Sequence, residues 1–248
     1  MSIITLLTDF GTADGYVAEM KGVLCTTAPH ATLVDLSHDI PPHDIEIARL
    51  AVARYWQRFP PGTVHLVVID PGVGSQRPAL AAMSERRFLV GPDNGVLSPA
   101  LLVPGSRAVE LAIPTGASPT FHGRDVFAPA AAALARGIEL DSLGTAVDEP
   151  HLRRTPEPVR EADGAFCGEV IAIDRFGNAI TNLLAARAGT LELGARHIPV
   201  RRTYADVNAG EILALVGSSG LVEIAVRDGN AASTLGVTRG MPVRWRSA

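Results

Sequence analysis

The sequence is poor in cysteine, in charge and in long apolar runs. Cys25 and Cys167 are the only two cysteines in 248 residues, and neither belongs to a CxxC pair. That excludes a disulfide framework and a cysteine-built zinc site, and it fits a reducing, cytoplasmic setting. Charged residues make up 19% of the chain, and 26 acidic against 22 basic side chains leave a net charge of −4. A general nucleic-acid binder needs a net basic face to meet phosphates, so no nucleic-acid partner is expected. No apolar stretch approaches the ~20 residues of a membrane span. The opening Met1-Ser2-Ile3-Ile4-Thr5 also lacks the basic start and long apolar stretch of a secretory signal. What the chain does have is hydrophobic residues, 47% of the total, which excludes disorder. At this length one large domain or two unequal ones are expected, with a core that needs no staples.

The first part alternates two periodicities. Ile3–Leu7, Thr32–Leu36, Val64–Ile69 and Arg87–Val90 are short runs of Val, Ile and Leu, as strands buried on both faces should be. Between them Ile45, Ala48, Val52, Tyr55, Trp56 and Phe59 recur at helical spacing, with Asp44 at the N-cap position and Pro60-Pro61-Gly62 as the stop. A second helix is expected over Asp125–Arg136, with Val126, Phe127, Ala130, Ala133 and Leu134 on one side. Strand and helix in alternation predict an α/β domain with a mostly parallel sheet over residues 1–152. Pro156 and Pro158, among charged residues, mark 153–163 as a linker. Over 164–248 the pattern changes to short strands, Ile171–Asp174, Ile212–Gly217, Val222–Arg227 and Pro242–Arg246. The last two alternate apolar and polar residues, which predicts a small antiparallel, barrel-like β domain.

Ligands of open α/β sheets collect at the carboxyl ends of the strands. Four polar segments fall there: Thr8–Gly15, Asp70–Arg77, Pro92–Gly95, and Phe121–Asp125 at the start of the Ala-rich helix. Each also has a plain structural reading. Asp9 and Asp14 suit Asx-turns or a helix cap, Asp70-Pro71-Gly72 and Asp93-Asn94-Gly95 suit turns, Arg77 suits a solvated loop, and His122 suits a backbone carbonyl. His38-Asp39 and His43-Asp44 suggest a metal, but Pro41-Pro42 keeps the two histidines off one helix face, so no metal site is expected. Gly72-Val73-Gly74 does not continue as GxGxxG and there is no Walker loop, which leaves dinucleotide and P-loop sites unsupported.

Taken together, five segments resemble one family. They are Leu7–Tyr16, Ile69–Gly74, Gly91–Gly95, Thr120–Ala130 and Ile173–Asn182, in that order and spread over nearly the whole chain. The family is that of the S-adenosyl-L-methionine hydroxide adenosyltransferases, the adenosine-forming hydrolases related to the fluorinase and chlorinase. The resemblance implies a larger α/β domain followed by a small β domain. It also implies a homotrimer, with each site lying between one subunit's N domain and the next subunit's C domain. S-adenosylmethionine is then the substrate, and no cofactor is needed. Asp70, Arg77 and His122 match the residues that present water or hydroxide. Asp9 matches the aspartate on the ribose hydroxyls, Asp14 and Asp174 the carboxylates around the methionine ammonium, and Asn178 an adenine contact. Ser218 and Ser219 align with the methionine-binding loop, and Asn230-Ala231 with a backbone contact to adenine. Two positions depart from the halogenases: His43 stands where they have Trp, and Ser219 where they have Arg.

The implied step is displacement at ribose C5′. The sulfonium leaves as a neutral thioether without a general acid, so catalysis consists of positioning water and excluding bulk solvent. Asp70 and Arg77 are close enough in sequence to pair across their Gly-rich turn. Such pairing is expected to lower the carboxyl pKa and make Asp70 a weak base, with Asp70 or His122 taking the proton. A carboxylate here also disfavours halide, because an anion is repelled beside it in a dry pocket. Two other readings compete. A metal-dependent nucleoside hydrolase would need clustered carboxylates in the loop after the first strand. A non-catalytic S-adenosylmethionine or adenosine sensor would bind without turnover.

Overall fold

Aliphatic and β-branched residues with no break between them make Ile3–Thr8 the strand β1, and its two faces feed two different cores. The computed structural model describes residues 2–184 and 188–247, and the chain divides into two units, Met1–Arg154 and Thr155–Ala248.

In the first unit β1 is followed by α1 (Tyr16–Thr27), β2 (Thr32–Ser37), α2 (Ile45–Tyr55), β3 (Val64–Val68), β4 (Ala79–Ser84) and β5 (Arg87–Pro92). Then come α3 (Ser98–Leu101), β6 (Arg107–Leu111), a π-turn over Gly123–Phe127, α4 (Ala128–Ala135) and β7 (Gly144–Ala146). The sheet order is β2-β1-β3-β5-β4-β6-β7. Ile4 and Leu6 pack with Met20 and Leu24 of α1 and with Phe127 and Ala131 on one face. Leu7 packs with Ala48, Val52 and Trp56 on the other face. Asp44 caps α2 as expected, its side chain accepting the Ile47 N–H at 3.0 Å. Asp14 does not cap α1, whose N-cap is Gly15 in the left-handed region.

The parallel half of the sheet, β2-β1-β3-β5, is the part built from the four expected strands. Beyond it β4, β6 and β7 continue the sheet in antiparallel fashion. The helix expected over Asp125–Arg136 begins instead as the π-turn and becomes α-helical at Ala128.

The second unit holds β8 (Val159–Arg160), β9 (Phe166–Ile173), β10 (Ala179–Leu184), β11 (Thr190–Leu193) and β12 (Arg196–Arg201). It continues with β13 (Ile212–Val216), β14 (Leu221–Val226), α5 (Ala231–Leu235) and β15 (Pro242–Arg246). The order β10-β14-β13-β12-β11-β15-β9 closes on itself through a β9–β10 pairing, so these seven strands form a barrel with β8 outside on β9. Closure leaves no open edge among them. All pairs are antiparallel except β12–β13. Val170, Leu191, Ile198, Ile224 and Val243 fill the interior.

Candidate active site

Asp70 leaves the sheet two residues past β3, beside Asp9 after β1, because Thr8 and Val68 are register partners on adjacent parallel strands. A compact turn follows, in which Val73 N–H donates to the Asp70 carbonyl and Ser75 Oγ to the Gly72 carbonyl (2.7 Å). The turn aims Arg77 back at its own start. One Arg77 Nη2 hydrogen bond goes to Asp70 Oδ2, and Nη1 donates to the Pro78 carbonyl at 2.7 Å. Nη2 also lies 3.3 Å from His122 Nδ1 at the head of the π-turn, and the guanidinium carbon sits 5.4 Å from the Phe127 ring centroid. Three residues 45 and 7 positions apart thus meet in one buried cluster, with the Asp70 and Arg77 side chains 5% and 9% exposed.

Two atoms of this cluster are left over. Asp70 Oδ1 and Arg77 Nε are buried and have no hydrogen-bond partner among the described residues. Burial raises the Asp70 pKa above the ordinary aspartate value, outweighing Arg77, His122 and the Gly72 N–H, which pull it down. The expectation that Arg77 would win and leave a weak base is therefore corrected: loss of hydration is the larger effect here. His122 is shifted the other way, lowered first by burial and then by Arg77. A guanidinium N–H only donates, so Nδ1 facing it is an acceptor and the ring proton of the neutral imidazole belongs on Nε2.

Neighbouring loops fix the cluster. Asn94 Nδ2 donates to the Ile69 carbonyl (2.9 Å), while its Oδ1 accepts the Val96 N–H, so the turn after β5 holds the residue before Asp70. Asp93 is half-buried and accepts the His151 N–H at 2.8 Å; burial raises its pKa, opposed in part by His151 and Arg77. Asp93-Asn94-Gly95 is thus more than a turn, although nothing in its sequence separates the two readings. Asp9 Oδ2 accepts the backbone N–H of His43 (2.8 Å), a residue held at φ +67°. Phe10 and Tyr16 pack edge-on against Phe121, next to His122. Asp14 is exposed on the same loop. Among the described residues no three His, Cys, Asp or Glu side chains gather as metal ligands.

In the second unit Asp174 closes a tight turn: Oδ1 accepts the Phe176 and Asn178 N–H groups and Oδ2 accepts Asn178 Nδ2 at 3.0 Å. The turn packs on the start of α5, where Asn230 Oδ1 accepts the Ser233 N–H and Ala232 N–H donates to the Gly177 carbonyl. Asp174, Asn178, Asn230 and Ala231 are therefore brought together. Ser218 and Ser219 are exposed on the β13–β14 turn. Beneath that turn lies Glu223, which the alternating pattern places outward but which is only 9% exposed. The Tyr204 hydroxyl donates to its Oε1.

The N-terminal domain of the SAM hydroxide adenosyltransferases matches residues 4–144, and their C-terminal domain matches 168–244. The chain belongs to this family. Its relatives include the (R)-S-adenosyl-L-methionine hydrolase of Thermus thermophilus, 46% identical over 98% of this chain and 99% of that one. The hydrolase of the same name from Salinispora tropica is 43% identical over 97% and 96%. A solved structure of an uncharacterized conserved protein from Thermotoga maritima superposes with a TM-score of 0.89 at 32% identity, covering 98% and 99% of the two chains. Both matches run over nearly the whole of each chain, and the two family domains fall one in each unit of this chain.

Proposed function

We propose that the protein hydrolyses (R)-S-adenosyl-L-methionine to adenosine and L-methionine. The observation that carries this reading is the buried, unpartnered Asp70 Oδ1 beside Arg77 and His122. Arg77 occupies Oδ2 and fixes the carboxylate, leaving Oδ1 to accept a proton from water. His122 Nε2–H donates to that water and orients it. As the water oxygen bonds to C5′, the C5′–S bond breaks and its electron pair leaves on the methionine sulfur as a neutral thioether. The proton passes to Asp70 and then to solvent. Attack converts a cation and a neutral molecule into neutral products plus a proton held by an anion, which a dry site favours.

Asp9 holds the ribose hydroxyls, Asp14 and Asp174 the ammonium, Asn178 and Asn230-Ala231 the adenine, and Ser218 and Ser219 the methionine end. No cofactor takes part, since the sulfonium supplies its own leaving group. The active species is a homotrimer, with each site completed by the barrel of a neighbouring subunit, and it works in the cytoplasm. No helix among the described residues is long and apolar enough to cross a membrane. Light scattering tests the trimer: a mass near that of a single 26.0 kDa chain rejects it. Incubation with S-adenosylmethionine tests the reaction, with adenosine and methionine expected in equal amounts. Free adenine as product would point to a nucleoside hydrolase, and stoichiometric binding without product would point to a sensor.

A further inference from the structure

Glu223 is a carboxylate in a strand that is buried from Val222 to Val226. Among the described residues no lysine, arginine or histidine forms an ion pair with it; its one hydrogen-bond donor is the Tyr204 hydroxyl. Its other oxygen, Oε2, lies against Gly217, where a Cβ would come within 2.4 Å of it, so no side chain fits at that position while the carboxylate is there. Gly217 opens the turn that carries Ser218 and Ser219, closed by Gly217 N–H to the Leu221 carbonyl and Gly220 N–H to the Gly217 carbonyl. Asp174 adds negative charge from the neighbouring turn, and burial first, then Glu223 and Asp174, raise the Tyr204 pKa and keep its hydroxyl protonated and donating. The exposed residues of the turn carry hydroxyls only. An anion buried without a counter-ion is costly, and a cationic ligand brought to it offsets that cost.

We infer that Glu223, together with the Asp14 and Asp174 assigned above, sets the polarity of the amino-acid end of the site: the Gly217–Gly220 turn adds to the hold on the substrate's ammonium and gains little from its carboxylate. The inference rests on the placement of methionine at Ser218 and Ser219 proposed above. It makes Glu223 a specificity-determining residue, and it extends the substrate class to sulfonium nucleosides whose side chain ends in an amine without a carboxyl group.

Three compounds test it: S-adenosylmethionine, its decarboxylated analogue, and its deaminated analogue, which keeps the carboxylate. Each is assayed with the wild type and with Glu223→Gln, which preserves volume and the acceptor for Tyr204. The decarboxylated compound is expected within about threefold of S-adenosylmethionine in kcat/KM, and the deaminated one at least about tenfold below it, the scale of one lost charge interaction. Glu223→Gln is expected to lower kcat/KM about tenfold for the two amine-bearing compounds and to leave the deaminated one and inhibition by adenosine unchanged. A larger loss for the decarboxylated compound than for the deaminated one, or an equal effect of Glu223→Gln on all three, overturns the inference. If the wild type turns over none of them, the hydrolase reading fails. Calorimetric binding of the same three compounds to both proteins then decides the ammonium preference by the same ordering.

Discussion

The two oxygens of Asp70 have different neighbours, and the chemistry follows from that difference. Oδ2 is held by Arg77, while Oδ1 is buried without a partner. Asp70→Asn keeps the shape and the acceptor for Arg77 but cannot take a proton, so kcat should fall at least about 10²-fold. Because burial raises the Asp70 pKa, the folded state binds this proton more readily than the unfolded chain does, and charge at Asp70 works against folding as pH rises. Asp70→Asn should therefore melt no lower than wild type; a lower Tm with lost activity would mean that the residue is mainly structural. The same shift places the acid limb of the kcat/KM profile above the ordinary aspartate range. Arg77 pulls the Asp70 pKa down, so Arg77→Gln should move that limb to higher pH, as a pH–rate series would read. Asp70, Arg77 and His122 are legible in sequence as polar residues at strand ends, but each also suits a turn, a solvated loop or a backbone carbonyl, and it is the family resemblance that singles them out together. Glu223 is not legible, because the alternation of β14 assigns it to solvent, and what covers it is Tyr204 and the Gly217 turn, both outside that pattern.

Among the elements, the turn between β3 and β4 matters most, since it carries both Asp70 and Arg77. Gly74 in that turn has φ +76°, and a Cβ there would lie 2.4 Å from the Pro119 carbonyl, on the loop leading to His122. Gly74→Ala should cost about 1 kcal/mol or more through backbone strain. It should also push the two loops apart and lower kcat about tenfold or more with little change in KM, since misplacement of reacting groups is penalised steeply. An unchanged kcat would show that the two loops do not need this approach. A second clamp holds the first loop: Thr8 Oγ1 lies 2.8 Å from His38 Nδ1, and the His38 carbonyl accepts the Gly11 N–H at 2.8 Å. The parallel strands and α2 could be read from periodicity and from the Asp44 cap. The antiparallel half could not. Ala79–Ser84 is Ala-rich, without β-branched residues, and its hairpin to β5 turns through Glu85 and Arg86, both at positive φ. That two-residue turn normally advertises itself as Asn-Gly, and this sequence withholds the signal.

On the scale of the whole molecule, the two units have separate cores, with Trp56 buried in the first and Trp245 in the second. These are the only tryptophans, so Trp245→Phe leaves a fluorescence probe for the α/β unit alone. That unit contains a titratable group unconnected with catalysis. His65 on β3 is fully buried, with Nδ1 2.8 Å from Thr5 Oγ1 and Nε2 3.1 Å from the Trp56 carbonyl, between the Tyr55 and Phe59 rings. Loss of hydration lowers its pKa to about 4 from 6.5. Below pH 6.5 the unfolded chain accepts a proton that the folded one refuses, so stability is complete above that pH and declines as the pH falls toward 4. The full decline is about 3 kcal/mol. His122, also lowered, acts in the same direction, whereas Asp70, raised, opposes both. Comparison with His65→Gln isolates the buried ring, because Gln cannot take the proton while its amide can still donate to the Trp56 carbonyl. In the Trp245→Phe background the urea midpoint of the α/β unit should fall between pH 7 and pH 4.5, and His65→Gln should remove most of that fall. Equal slopes in the two proteins would mean that His65 is already protonated when folded, or that water reaches it, and the acid sensitivity would then belong to the carboxylates.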